Sequence, residues 1–496
     1  MTTKTTKKNN VVDSVYLRTA GMDIQMPFSV NIKGETSFNL FCFRVLRIIP
    51  GKRMVCLCNY NGIRVVAKFF LNKKKGAAHC LREERGINAL KKAGLSTPDI
   101  IFKGFIDPDG LPTLGFQEIT PVRDIMDVPE VKKTGMQGSS FIERVVKIIA
   151  KQHEAGLFQA DIHKENFLLT HDEVYSIDGS SVNLRNFGRP LSKAKSLKNL
   201  GIFFAQFKPC HDNIILPAFN EYASRRSWQK NQKLYNCLLK KIKFYRKLRK
   251  KKFLKKIFRE STAFVCKKNM HNYLICNREL YTKGMARFFN DPDALLDKGE
   301  ILKNGNTSTV ALVEMDKKHF VVKRYNIKTP WHALKRCLRH TRAYTSWRNS
   351  NMLIFYDILT PRPVAFYEKR FGPLRSTAYF IMEHIDGIDA MTFFQPKNIK
   401  TCGAKKIVQR FGDLFKSLAD RSISHGDFKA TNFIIKNGKI YVIDLDGMQE
   451  HRFKWRFKRA FNKDCRRMIK NWSNDPQIAG QISGQLSEIL RISLSQ

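Results

Sequence analysis

The chain has 496 residues, 43% hydrophobic and 27% charged, which excludes a disordered polymer and allows several domains at roughly 150 residues each. Its 89 basic and 43 acidic residues give a net charge of +46, so the expected partners are polyanions: nucleic acid, anionic lipid headgroups or phosphorylated sugars. No run approaches the roughly 18–20 apolar residues that span a bilayer, no apolar signal region follows the polar Met1–Asn10, and eleven cysteines without a Cys-x-x-Cys pair fit a reduced cytosolic chain.

In chain order, Phe43–Ile49 and Met54–Asn59 alternate as strands do, with Cys56 and Cys58 as buried strand thiols. A third run, Ile63-Arg-Val-Val-Ala-Lys68, is β-branched and ends on a lysine. A helix follows and finishes near Thr97-Pro98. Within it, Glu83-x3-Ile87-x2-Leu90 sets a carboxylate on the same face as two apolar anchors, with Glu84 as the alternative. Phe141–His153 has helical periodicity. Next comes a polar loop, Gln159-Ala-Asp161-Ile-His-Lys-Glu-Asn166, then two short apolar runs, Phe167–Leu169 and Val174–Ile177, and then Asp178-Gly179.

Between Lys240 and Arg259 there are twelve Lys or Arg and no acidic residue. Phe244, Leu248, Leu254 and Phe258 fall within an arc of about 120°, the pattern of a basic amphipathic helix. Such a helix packs its apolar stripe on the preceding domain, lies against an anionic membrane or contacts nucleic acid, and the first two can hold together.

The second half repeats the first. Val310–Glu314 and His319-Phe-Val-Val-Lys323 are strands, the latter again ending on a lysine, and a helix finishes near Thr360-Pro361. Ile407–Leu418 is helical. It leads to His425-Gly-Asp427-Phe-Lys-Ala-Thr-Asn432, then to Phe433–Ile435 and Tyr441–Ile443 joined through Asn437-Gly438, a strong hairpin signal, and then to Asp444. The offsets agree: Asp161 to Asn166 and Asp427 to Asn432 are both 5, Asn166 to Asp178 and Asn432 to Asp444 are both 12, and the copies lie 266 residues apart. One Asp and one Asn in a loop read plainly as turn formers; two copies at identical spacing do not. His163 and His425 read as loop hydrogen-bonders, and Trp455–Phe461 as a basic helix with an aromatic stripe.

A strand lysine, a helix, Asp-x4-Asn, a hairpin and a final Asp form the order in which protein kinases deliver their phosphoryl-transfer groups. Both halves resemble the bacterial lipopolysaccharide core kinases, which phosphorylate Kdo or heptose. The first does so in Val45–Arg53, Val65-Val-Ala-Lys68, His153-Glu-Ala-Gly156 and Asp161–Asn166; the second in Arg342–Asn349, Leu359–Pro363 and His425–Asp444. The resemblance implies an α+β chain of two protein-kinase-like bilobal domains in tandem, 36–262 and 290–496, each with a small strand-rich lobe and a helical lobe. It implies ATP and Mg²⁺ as cofactors. Lys68 and Lys323 would hold the α- and β-phosphates, with Glu83 paired to Lys68. Asp161 and Asp427 would be catalytic bases, and Asn166, Asp178, Asn432 and Asp444 would ligate the metal. The substrate would be an anionic glycolipid at the cytoplasmic face of the inner membrane, contacted peripherally, with no specific nucleic acid partner. A protein or small-molecule kinase, or a partly pseudokinase scaffold, is the alternative on the same fold.

The sequence also departs from the kinase pattern. Neither half has G-x-G-x-x-G; Pro50-Gly51 and Gly305–Thr309 stand in its place. Gln159 occupies the position of His425. The second half has Ser346 where Glu83 falls in the first, and no acidic residue from Thr341 to Tyr356, so the second domain either holds Lys323 in another way or is a weakened or non-catalytic copy.

Overall fold

The computed structural model describes residues 10–121, 136–170, 173–229, 231–326, 339–395, 404–472, 480 and 484. Most of the N-terminal stretch Met1–Asn10 and the end of the second expected domain lie outside these. The chain divides into two compact units, Met1–Arg249 and Lys250–Gln496.

The first unit opens on a six-stranded antiparallel sheet. Phe28–Ile32, Phe38–Ile49, Arg53–Tyr60 and Ile63–Phe69 are successive neighbours; Leu111–Gln117 lies beside the last and Ile100–Ile106 forms the edge. Cys42, Cys56, Cys58, Val65, Ala67 and Phe69 fill its core, so the alternation that predicted strands is the alternation of core-facing positions. Lys68, between two of these positions, faces the other side, toward the helix Gly76–Lys92 that carries Glu83. The helical part packs Met136–Glu154, Lys193–Phe204 and Ile215–Arg225 around Val145, Val146, Ile149, Phe203, Phe204 and Phe219.

His153 ties these helices to the loop they support. Its Nδ1 lies 2.8 Å from the Tyr222 hydroxyl and its Nε2 lies 2.9 Å from Asn199 Oδ1, while Asn199 Nδ2 donates to the Gln159 carbonyl at 2.8 Å. Because Asn199 Oδ1 can only accept, His153 carries its proton on Nε2 and accepts the Tyr222 O–H on Nδ1. The imidazole is neutral and fully buried.

The second unit has a seven-stranded antiparallel sheet in the order Phe264–Lys268, Asn272–Asn277, Pro363–Phe371, Leu374–Glu383, Lys318–Tyr325, Ser308–Met315, Glu300–Gly305. Its first two strands lie upstream of residue 290, and their short runs carried no separate sequence signal. The helix Arg342–Phe355 lays the fully buried Trp347 on this sheet among Phe264, Phe366 and Phe380. The helices Ala404–Ala419 and Lys454–Lys470 enclose Phe411, Phe415, Phe428, Phe433 and Phe461.

The basic helix runs from Gln232 to Lys256, and the boundary between units falls within it. Its predicted apolar stripe is split. Phe244 and Leu248 are exposed, whereas Leu254 and Phe258 pack into the second unit. Among the described residues no helix is long and apolar enough to cross a membrane.

Burial pushes the His153 imidazole down, with the Asn199 hydrogen bond partly opposing and Arg226 adding to the depression, from 6.5 to about 4. The unfolded chain therefore binds a proton that the folded unit refuses, and stability falls as pH drops from 6.5 toward 4. The loss at full effect is about 3 kcal/mol. Urea unfolding of His153→Gln at both ends of that window should show a pH dependence smaller by this amount; an unchanged dependence would mean that His153 is not held neutral.

Candidate active site

The lysine strand and the strand before it are paired alike in the two units. Val55 lies opposite Lys68 and Val310 opposite Lys323, each thirteen residues before its lysine. The hairpins that begin there turn at Pro50-Gly51 and at Gly305–Ser308, where the sequence lacks a longer glycine-rich loop. In the second unit Asn326 closes the turn: its N–H donates to the Thr307 carbonyl at 3.2 Å and its Nδ2 to the Gly305 carbonyl at 3.2 Å.

In the first unit Lys68 forms an ion pair with Glu83 and lies 3.8 Å from Asp178. Arg53, at the start of the strand leaving the hairpin, lies 3.4 Å from Asp178 and 3.8 Å from Glu83. Glu83 is fully buried and also accepts the N–H groups of Gly179 at 3.2 Å and Ser180 at 3.1 Å. Such proximity requires two glycines: a Cβ on Gly86 would meet the Gly179 carbonyl at 2.0 Å, and one on Gly179 would meet the Glu83 carbonyl at 2.4 Å. Glu84 points elsewhere, to Lys103 at 2.8 Å, so Glu83 is the partner of Lys68.

In the second unit Ser346 takes no part in holding the lysine and instead hydrogen-bonds the Tyr325 hydroxyl at 2.8 Å. Lys323 pairs with Asp444 and lies 3.4 Å from Asp446, which binds Arg342 at 2.7 Å. The missing helix carboxylate has moved to the loop, two residues after Asp444, and the second cation has moved from the hairpin to the helix. Each unit thus holds two cations and two carboxylates. Asn349 stands where Gly86 stands in the first unit. It fastens the helix to the loop by donating to the Leu445 and Met448 carbonyls at 2.8 and 2.9 Å.

Burial alone would raise the Asp178 and Asp444 carboxyls. Lys68 with Arg53, and Lys323 respectively, outweigh it and hold both groups below the usual carboxylate range. Burial likewise opposes the Lys323 ammonium, but Tyr325, Asp446 and Asp444 raise it above the ordinary lysine range. Both aspartates have left-handed backbone, φ 69° and 59°, and each directly follows an isoleucine whose N–H donates to an asparagine carbonyl: Ile177 to Asn166 at 2.8 Å, Ile443 to Asn432 at 3.0 Å. Asn166 and Asn432 in turn donate Nδ2 to the Asp161 and Asp427 carbonyls at 3.0 and 2.8 Å. The loop Asp, the Asn and the final Asp are therefore joined in the same way twice. Gln159 replaces His425 in kind: Gln159 Nε2 donates to the Ile177 carbonyl at 3.4 Å, and His425 Nε2 lies 2.9 Å from the Ile443 carbonyl.

The two loop aspartates differ in their settings. The Asp161 side chain is 80% exposed, with His163 Nε2 at 3.6 Å. Asp427 is 31% exposed and lies between Arg467 Nε at 2.8 Å and Lys429 Nζ at 3.3 Å. Its loop is anchored from beneath by Asp464, which accepts the His425 N–H at 2.7 Å and the Gly426 N–H at 3.1 Å. The sequence reading missed Arg53, Arg342, Asp446, Asp464 and Arg467. Only Asp446 had a visible signal, as the second carboxylate of Asp444-Leu-Asp446.

A strand lysine neutralised by carboxylates beside an Asp/Asn loop is the arrangement of a phosphotransferase. Residues 293–487 match the model of the lipopolysaccharide kinase (Kdo/WaaP) family. The chain is also 30% identical over 70 residues to the probable serine/threonine-protein kinase YbdM of Bacillus subtilis (strain 168), covering 14% of this chain and 27% of that protein. It thus spans about a quarter of the curated relative. The solved kinase domain of Mycobacterium tuberculosis PknI (C20A mutant) aligns with 37% of this chain and 78% of its own, at 14% identity and a TM-score of 0.27.

Glu83→Gln leaves Lys68 and Arg53 facing Asp178 alone, and should cost the first unit about 3 kcal/mol in urea unfolding. Adding Arg53→Met restores the charge balance and should recover part of that loss. Simply additive losses would contradict a shared four-charge cluster.

Proposed function

We propose that the chain is an ATP- and Mg²⁺-dependent kinase that phosphorylates sugar hydroxyls, heptose or Kdo, of the lipopolysaccharide inner core. The observation that carries this reading is the recurrence, in both units, of a strand lysine, half-buried in the first and buried in the second, tied to the carboxylate that follows an Asp/Asn loop and hairpin. In this reading the units are two kinase-like bilobal domains, 36–262 and 290–496. Lys68 and Lys323 hold the nucleotide phosphates, and Arg53 and Arg342 are second cations beside them.

The donor sets fit a hard cation. Asn166 and Asn432 use Nδ2 within the loop, which leaves the amide oxygen as the ligand atom, and Asp178 and Asp444 are kept ionised as metal ligands must be. The bound metal would neutralise charge developing on the transferring phosphoryl group. Asp161 or Asp427 orients the sugar hydroxyl and accepts its proton. Lys429 and His163 occupy equivalent positions, two residues after each base, and Lys429 brings a positive charge to the point of transfer in the second unit.

The family match on 293–487 supports the sugar acceptor, and the net charge of +46 suits an anionic glycolipid in an anionic leaflet. Each basic residue near such a surface contributes about 1 kcal/mol. Peripheral residence at the cytoplasmic face of the inner membrane follows from that acceptor. A protein-kinase activity is the second reading, favoured by the 70-residue match to a serine/threonine kinase.

Transfer from labelled ATP to dephosphorylated core lipopolysaccharide tests the proposal. Asp427 is the less exposed base, so Asp427→Asn should lower transfer about 100-fold or more, and Asp161→Asn by less. Labelling of a protein but not of lipopolysaccharide by the wild type would move the assignment to the second reading.

A further inference from the structure

The helix Lys454–Lys470 packs one face into the core through Phe457, Phe461, Asp464, Cys465 and Met468. Its opposite face is unlike an ordinary solvated one. Trp455, Arg459, Lys463, Arg466 and Lys470 fall within an arc of roughly 80° and are all exposed. Trp455 is 62% exposed, and Phe453, just before the helix, is 47% exposed. Arginines surround this pair: Arg456 lies 5.0 Å over the Trp455 ring, and Arg452 lies 5.6 Å over the Phe453 ring. From Arg452 to Lys470 the single acidic residue is Asp464, which is buried and committed to the His425 and Gly426 amides. The outer face therefore carries no negative charge to offset its cations.

We propose that this face, with Phe453 and Trp455 at its head, is a docking surface for an anionic lipid bilayer. The helix does not insert by its apolar stripe, because that stripe is already in the core. Instead the cations lie against the headgroups, and the two aromatic side chains enter the interfacial region, where an amphipathic indole is at home. An indole and a phenyl ring beside arginines also suit stacked bases. Lipid is favoured because the cations extend as one stripe along a straight helix beyond the aromatic pair, as a flat charged surface requires. The same helix carries Arg467, which holds Asp427 at 2.8 Å, so the surface and the loop of the second unit share one rigid element. The inference deepens the proposed function by naming where its glycolipid acceptor would be presented, and rests on that reading only for the acceptor.

Sedimentation of the full chain with phosphatidylcholine vesicles, with and without a quarter of phosphatidylglycerol, tests it without ATP or a sugar acceptor, so its failure is distinct from failure of the transfer assay. The wild type should bind only the anionic vesicles, and added salt should weaken binding. Phe453→Ser with Trp455→Ser should lower the partition coefficient about ten-fold. Both positions are exposed, so the folded unit should tolerate the change. Trp455→Phe should keep binding yet lose most of the fluorescence quenching caused by lipids with brominated acyl chains. Wild-type-like binding by the double variant, or undiminished quenching in Trp455→Phe, would overturn the proposal. So would a Trp455 fluorescence change given by single-stranded DNA but not by vesicles.

Discussion

In each unit, two cations and two carboxylates meet where a strand, a helix and the loop after a hairpin converge. Taken singly, any of these charges would be costly to bury. Together they neutralise one another, and each one fixes a different piece of backbone: Lys68 its strand, Glu83 its helix and Asp178 its loop. The cluster is thus the joint between the sheet and the Asp/Asn loop, and it leaves the aspartates ionised.

The two copies solve this problem with the charges in different places. The first takes its second carboxylate from the helix and its second cation from the hairpin strand; the second takes Asp446 from the loop and Arg342 from the helix. What is preserved is electroneutrality around the lysine. A serine at the helix position therefore does not leave Lys323 without carboxylate partners. The loop aspartate of the second unit is also the less exposed, beside Arg467 and Lys429 and above the Asp464 anchor.

Much of this was legible in the sequence because strand alternation, the hairpin at Asn437-Gly438 and the Asp–Asn–Asp spacing are local signals. Lys68, Glu83 and Asp178 meet as their order implied, and the preference for Glu83 over Glu84 followed from its place on the apolar face of its helix. Arg53, Arg342, Asp464 and Arg467 were not legible. Each acts across tens of residues or more, and a surface arginine and a site arginine look alike until the chain is folded. The stripe from Phe244 to Phe258 also misled, since periodicity reports which residues share a face but not whether one neighbour covers all of it.

The most direct test of the account is calorimetric titration with ATP, with and without Mg²⁺, of the wild type and of Lys68→Met and Lys323→Met. Two charge-balanced lysine sites predict two metal-dependent binding events per chain, with each variant losing one and keeping the other. Binding that is indifferent to both substitutions, or independent of Mg²⁺, would contradict it.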